Sequence, residues 1–172
     1  MMWYFVLQCM YLMLPAYFAN MMPVLVKKIN FLDKPISKKY LGNHKTWRGI
    51  VFGTLAGMLV AYIQKMLYAY PFFAGLSFVD YSNWLIFGFL LGFGALFGDA
   101  VKSFFKRKAG VKPGGRFIPA DQLDYSLGSI LFVSFVFRLT WQMIVVVLVV
   151  NFILHIIANH LGYYLGLSKV KW

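Results

Sequence analysis

Residues 84–101 read WLIFGFLLGFGALFGDAV, with Asp99 as their only charged residue. An apolar run of about 20 residues is long enough to cross the hydrocarbon core of a bilayer as a helix. An ionisable side chain at the end of such a run is costly unless it has a function. This stretch therefore predicts a membrane-spanning helix that ends in a functional carboxylate.

The composition places the whole chain in the same class. Of its 172 residues, 61% are hydrophobic and only 13% are charged, whereas soluble domains are about 45–50% apolar and about 25% charged. Cys9 is the only cysteine, which excludes an internal disulfide framework and a thiolate zinc site. We expect one domain over residues 1–172, an all-α polytopic integral membrane protein.

Four further spans complete the predicted topology. Residues 3–26 and 50–68 are apolar, and the first of these lacks the basic start and small-residue cleavage site of a signal peptide. Residues 127–165 are too long for one crossing and fit two antiparallel helices that turn near Arg138. The fourth span reaches about 30 Å if it starts near Pro119, a residue favoured in the first helical turn. The prediction is five transmembrane helices.

The charge distribution supports this count and gives an orientation. The chain has 17 Lys and Arg against 5 acids, and the five-span topology places fifteen of the cations on one side. They lie in two basic loops and at the C-terminus, whereas residues 69–83 hold none. Because Lys and Arg collect in cytoplasmic loops, the N-terminus is expected outside and the basic loops in the cytoplasm. Topology explains the charge without nucleic acid as a partner.

Rows of glycine at a spacing of four occur in the second and third spans. Such rows let helices approach closely in a membrane. We expect them to pack spans of one chain together, with a homodimer face as the alternative use. The residues are Gly49, Gly53, Gly57, Gly88, Gly92, Gly94 and Gly98.

The acids point to the chemistry. All five are aspartates, and Asp99, Asp121 and Asp124 flank the basic, glycine-rich second loop. Carboxylates are ligands for Mg²⁺, which keeps waters and contacts substrate phosphates. Surrounding Lys and Arg would neutralise a polyphosphate. This pattern predicts a Mg²⁺-dependent phosphate site where the membrane meets the cytoplasm.

The first basic loop ends in Lys45-Thr46-Trp47-Arg48-Gly49, directly before the second span. This reads as a helix start, with Thr46 or Asn43 as the cap and with Lys45 and Arg48 at the level of the lipid headgroups. A helix N-terminus also attracts phosphate. The cations are equally well explained as topology signals.

Both motifs resemble one enzyme family. Gly98-Asp99-x-x-x-Ser103-x-x-Lys106-Arg107-x-x-Gly110-x-Lys112, followed by Pro119 and Asp121-x-x-Asp124, resembles the signature of the integral-membrane phosphatidate cytidylyltransferases, or CDP-diacylglycerol synthases. The segment 45–49 is similar to their Lys-Thr-Trp-Glu-Gly element, with Arg48 in place of the acid. The bacterial pattern has Lys-Asp where this chain has Lys112-Pro113, and a Pro-Gly-His-Gly-Gly run that is absent here. The short chain is more similar to the archaeal branch, the CDP-archaeol synthases.

The resemblance implies transfer of CMP from CTP to an isoprenoid ether-lipid phosphate, 2,3-di-O-geranylgeranylglyceryl phosphate, to give CDP-archaeol and pyrophosphate. It implies that Asp99, Asp121 and Asp124 are catalytic and hold Mg²⁺, that Lys106 is catalytic, and that the tails lie in an apolar groove among the spans. The residues expected to bind CTP or the lipid phosphate are Lys45, Thr46, Arg48, Lys102, Ser103, Arg107, Lys112 and Arg116.

The sequence also leaves three alternative functions. A CDP-diacylglycerol synthase acting on phosphatidate would need the same site. A CDP-alcohol phosphotransferase would have aspartates at offsets of four, whereas Asp121 and Asp124 are three apart. A small membrane transporter would carry charges along a path through the membrane, whereas here they collect at one surface.

Overall fold

The structure, a computed structural model, describes residues 2–111, 115 and 117–164. Within those residues it is helical, with one isolated bridge between Pro35 and Thr46 and no strand. This confirms the all-α class. The helices are α1 (Met2–Leu25), α2 (Trp47–Leu67), α3 (Pro71–Leu76), α4 (Trp84–Lys108), α5 (Ala120–Val133) and α6 (Trp141–Tyr164).

Among the described residues, four helical segments are long and apolar enough to cross a membrane: Met2–Lys28, Trp47–Leu67, Trp84–Lys108 and Trp141–Leu161. The first three agree with the predicted spans, and α1 continues through Pro15 and Pro23 to end in a 3₁₀ turn. Helix α4 runs seven residues past the predicted end at residue 101. The cations from Lys102 to Lys108 are therefore helical, which fixes their direction relative to the Asp99 carboxylate.

The predicted fourth span is present only as a shorter helix, so the count of five spans is not confirmed. Helix α5 begins beside Pro119, as predicted, but its 14 residues end at Val133 and cover only about 21 Å. At its end the Ser134 hydroxyl donates to the Ile130 carbonyl, and Thr140 accepts from the Met143 amide at the start of α6. The chain does turn around Arg138, as expected.

The glycine rows pack helices of the same chain, as predicted. A Cβ on Gly57 would lie 2.8 Å from the Cα of Gly92, so α2 and α4 are in backbone contact. On the other side of α4, a Cβ on Gly98 would collide with the Asp124 carbonyl, and one on Gly128 with the Gly94 carbonyl. These contacts make α4 and α5 antiparallel neighbours. They bring the end of α4 that carries Asp99 against the start of α5.

Polar side chains fix the opposite face of α5. The Tyr125 hydroxyl donates to Oδ1 of Asn151 on α6 at 3.1 Å, and Asn151 is fully buried. The Tyr125 ring also meets Tyr17 of α1 edge-on, with ring centroids 6.2 Å apart. Because Tyr125 is held between α1 and α6, Asp121 and Asp124 are turned towards α4.

Candidate active site

Lys102 is the centre of a cluster that joins the three aspartates flanking the second loop. Its Nζ lies 3.1 Å from Oδ1 of Asp99, 2.5 Å from Oδ2 of Asp124 and 3.5 Å from Oδ1 of Asp121. Asp99 and Lys102 are one turn apart on α4, while the other two carboxylates come from the first turns of α5. The structure thus brings together the three acids singled out in the sequence.

Two further lysines flank this centre. Lys45, from the loop before α2, forms an ion pair with Oδ2 of Asp99. Lys106, one turn beyond Lys102, lies 2.9 Å and 3.1 Å from the two carboxylate oxygens of Asp121. Three ammonium groups therefore face three carboxylates, and their formal charges cancel.

Asp121 is anchored at the start of α5. Its carboxylate accepts hydrogen bonds from the Lys106 ammonium at 2.9 Å and from the Phe117 amide at 2.7 Å, and it also faces the Lys102 ammonium. The helix dipole favours an anion at this end of α5.

Three predicted substrate-binding residues use their side chains within the fold. The Thr46 hydroxyl accepts from the Gly49 amide at 3.2 Å, which confirms Thr46 as the cap of α2. The Ser103 hydroxyl donates to the Asp99 carbonyl at 2.8 Å, which braces the end of α4. Arg107 donates to the Val111 carbonyl at 2.6 Å.

Arg48 lies apart from the carboxylate cluster. It is only 5% exposed, donates to the Ile29 carbonyl and pairs with Asp33 at 2.8 Å, so it fastens the first basic loop to the start of α2. The predicted phosphate contacts Lys112 and Arg116 lie outside the described residues.

An apolar groove of about 610 Å³ opens between α4 and α5. Lys102 and Asp124 belong to its lining, so the groove reaches the carboxylate cluster directly. The sequence predicts a groove among the spans but not which helices form it. Its apolar lining includes Phe97, Val101, Phe105, Phe117, Leu127 and Leu131.

The donor set suits Mg²⁺ in its chemistry, because hard carboxylate oxygens are the ligands that this ion prefers. In residues 2–111, 115 and 117–164, however, no three acidic, imidazole or thiol groups stand close enough to hold a metal ion. The Lys102 ammonium lies among the three carboxylates instead, as a cation in the place where a metal would be expected. The carboxylate oxygens are suitable ligands for the ion once the Lys102 ammonium moves out from among them.

The fold and this cluster define a multi-pass helical membrane protein with an enzyme-like carboxylate and lysine centre, open to an apolar groove. A solved structure described as an intramembrane enzyme for archaeal membrane lipids biosynthesis shares the fold, with a TM-score of 0.64 and 28% identity over 87% of this chain and 90% of that one. The family model "CarS-like: CDP-archaeol synthase" matches residues 2–172, and the chain belongs to this family.

Curated relatives are similar in sequence to this chain along nearly their whole length. A CDP-archaeol synthase of Thermococcus kodakarensis is 38% identical over 92% of this chain and 92% of its own. A CDP-archaeol synthase of Methanococcoides burtonii is 36% identical over 93% of this chain and all of its own. The resemblance stated from the motifs is therefore confirmed.

Proposed function

We propose that this protein catalyses the reaction of CTP with 2,3-di-O-geranylgeranylglyceryl phosphate to give CDP-archaeol and pyrophosphate. Family membership supports the reaction. The observation that carries the proposal for this chain is the position of Lys102 and Asp124, which belong both to the charged cluster and to the lining of the α4–α5 groove. A lipid phosphate and a nucleotide triphosphate would meet at that junction.

The reaction needs positioning and charge compensation rather than a protein nucleophile. An oxygen of the lipid phosphate attacks the α-phosphorus of CTP, a new phosphorus–oxygen bond forms, and the bond to the β-phosphate breaks. Pyrophosphate leaves with the bonding electrons. Lys45, Lys102 and Lys106 stand where they would compensate the phosphate charge, and Arg107, Lys112 and Arg116 are proposed to extend this basic surface.

Asp99, Asp121 and Asp124 are proposed to hold Mg²⁺. The bound ion would neutralise phosphate oxygens and increase the electrophilicity of the α-phosphorus. The ion pairs of Asp121 with Lys102 and Lys106 and the convergence of the three carboxylates on one point support this assignment. Thr46, Arg48 and Ser103 would act by shaping the loop and helix ends around the site, because their side chains already have partners there.

The groove is proposed to hold the isoprenoid tails. Its walls are mainly apolar, and its charged lining groups include Lys102 and Asp124. Aliphatic chains buried against such walls would be stabilised by about 25 cal/mol for each Å² of apolar surface removed from contact with water. With the tails in the groove, the phosphate would lie beside the lysines.

We further propose five membrane crossings, with the N-terminus outside and the site facing the cytoplasm. Helix α5 with residues 134–137 would complete the fourth crossing, so that the turn at Arg138 lies outside the membrane. This arrangement keeps fifteen of the 17 cations on the side of the cluster, as expected for cytoplasmic loops.

The assay is pyrophosphate release from CTP by the purified protein, with Mg²⁺ or EDTA, across lipid phosphates. We expect turnover of the ether-linked isoprenoid substrate only with Mg²⁺. An ester-linked phosphatidate tests the related reaction on a diacyl lipid, and preference for it would change the proposed substrate.

Asp121→Asn and Asp124→Asn test the site. Each should lower the rate by at least about a hundredfold, comparable with the loss of one charge-stabilising group in other enzymes. Asp80→Asn is the matched control, since Asp80 accepts from the Ser82 amide in a distant turn and asparagine preserves that acceptor. Full activity in both site variants would refute the assignment.

A further inference from the structure

The position of Lys102 has a consequence for metal binding. Its Nζ lies within 3.5 Å of an oxygen of each carboxylate, and its side chain is only 16% exposed. Asp99 and Asp121 each have a second lysine partner, Lys45 and Lys106 respectively. Among the described side chains, Lys102 is the one cation in ion-pair contact with Asp124. Within the described part of the chain, the cations that neutralise the cluster are all lysines.

An ammonium group and a Mg²⁺ ion require different spacings of the same oxygens. Hydrogen bonds from an ammonium to carboxylates are about 2.7–2.9 Å long, whereas Mg²⁺–oxygen distances are about 2.0–2.1 Å. Carboxylates spread around an ammonium are therefore too far apart to share one Mg²⁺ ion, in agreement with the geometry of the described residues. Metal and ammonium cannot occupy the centre together.

The α4–α5 groove offers space for the Lys102 side chain when a metal ion displaces its ammonium group. Its side chain is a flexible four-carbon stem, and Lys102 also lines the α4–α5 groove. A phosphate at the groove mouth would accept the displaced ammonium. Lys45 and Lys106 enter from the two sides and each contacts one carboxylate, so neither occupies the shared point.

We propose that Lys102 holds the place of the metal in the metal-free protein and competes directly with Mg²⁺ for Asp99, Asp121 and Asp124. This rests on the proposed function, because it takes the three aspartates as the metal ligands. Lys102 keeps these buried and half-buried carboxylates neutralised until the metal binds. It lowers the affinity of the empty site for a lone divalent ion.

The test is Mn²⁺ binding to the detergent-purified full chain, without nucleotide, followed by the electron paramagnetic resonance signal of free Mn²⁺. Lys102→Met should bind Mn²⁺ at least about tenfold more tightly than the wild type, within the range of ordinary coupling between sites. Lys102→Arg, which keeps a cation at the centre, should bind no more tightly than the wild type.

Lys106→Met is the matched control for charge. It removes the same ammonium group from one side of the cluster, where it contacts Asp121 at 2.9 Å. A general electrostatic effect would raise Mn²⁺ affinity equally in both methionine variants, and that result would overturn the proposal. A distinctly larger gain in Lys102→Met supports it.

Folding and the proposed function are checked separately. If Lys102→Met is unstable without metal, its melting temperature should rise with Mn²⁺ by more than that of the wild type, and an equal or smaller rise counts against competition. Mg²⁺-dependent product formation by the wild type, combined with unchanged Mn²⁺ affinity in Lys102→Met, would reject the competition and leave the proposed function standing. A wild type that forms no CDP-lipid, combined with a selective gain in Mn²⁺ affinity in Lys102→Met, would reject the proposed function and leave the competition standing.

Discussion

At the scale of single residues, side chains of similar appearance in the sequence have different environments. The three acids beside the second loop could be predicted to act together, because carboxylates are scarce in this chain and these three bracket a basic segment. The central position of Lys102 among them could not be predicted. Its spacing from Asp99 is visible in the sequence, but its contact with Asp124 depends on how closely α5 approaches α4.

Arg48 shows the reverse case. Its place in a Lys-Thr-Trp-Arg-Gly element suggests a phosphate ligand, whereas the structure holds it against Ile29 and Asp33. A signal for this role exists in the sequence, since Asp33 is the only acid in the first basic loop. Pairing across fifteen residues of irregular chain is nevertheless not specified by any local pattern.

Arg48→Met should therefore destabilise the protein. It leaves the Ile29 carbonyl without its donor and removes the partner of Asp33, a loss of about 1–3 kcal/mol in the free energy of unfolding. The expected result is a lower melting temperature, with a smaller decrease for Asp33→Asn, which keeps an acceptor. A tenfold higher KM for CTP at an unchanged melting temperature would instead make Arg48 a substrate ligand.

At the scale of elements, the close approach of α4 and α5 builds the site. The glycine rows predict close packing, and the start of α5 beside Pro119 follows from the preference of proline for a first turn. The end of α5 at Val133 could not be predicted from the sequence. Apolar residues continue on both sides of that point without glycine or proline, so the local pattern does not mark where the helix stops.

Gly128→Ala tests this approach. A Cβ at residue 128 would collide with the Gly94 carbonyl and lie 2.8 Å from the Cα of Gly98, and backbone atoms cannot move aside as a side chain can. Such overpacking costs about 1–3 kcal/mol. It should also move Asp124 away from Lys102, so melting temperature and activity should fall together.

Gly49→Ala is a milder control for the same substitution. Its Cβ would meet the Pro23 ring at 3.2 Å at the α1–α2 crossing, a much smaller overlap than the collision with the Gly94 carbonyl at residue 128. Equal losses in the two variants, or full activity in Gly128→Ala, would show that the α4–α5 contact does not position the site.

At the scale of the whole molecule, the basic loops, the carboxylate cluster and the mouth of the groove lie at the same end of the helices. The two basic loops lie at the ends of α1, α2, α4 and α5 that surround the carboxylates, and the α4–α5 groove runs from there along apolar helix faces. The proposed reaction requires such an arrangement, because a water-soluble nucleotide and a lipid substrate must reach one point from different phases. Composition already predicts a membrane protein, but this convergence depends on helix packing.

The number of crossings can be decided at Arg138, which is exposed in the turn between α5 and α6. With five crossings, residue 138 lies outside the cell. If α5 does not cross the membrane, residue 138 lies on the same side as the first basic loop.

Cys9 is the only native cysteine and is buried, so Cys9→Ala provides a background for single-cysteine labelling. In intact cells, a membrane-impermeant maleimide should label Arg138→Cys and Ser82→Cys, and should label Lys38→Cys only after permeabilisation. If Arg138→Cys is instead protected in intact cells together with Lys38→Cys, α5 returns to the cytoplasmic side and the chain crosses four times.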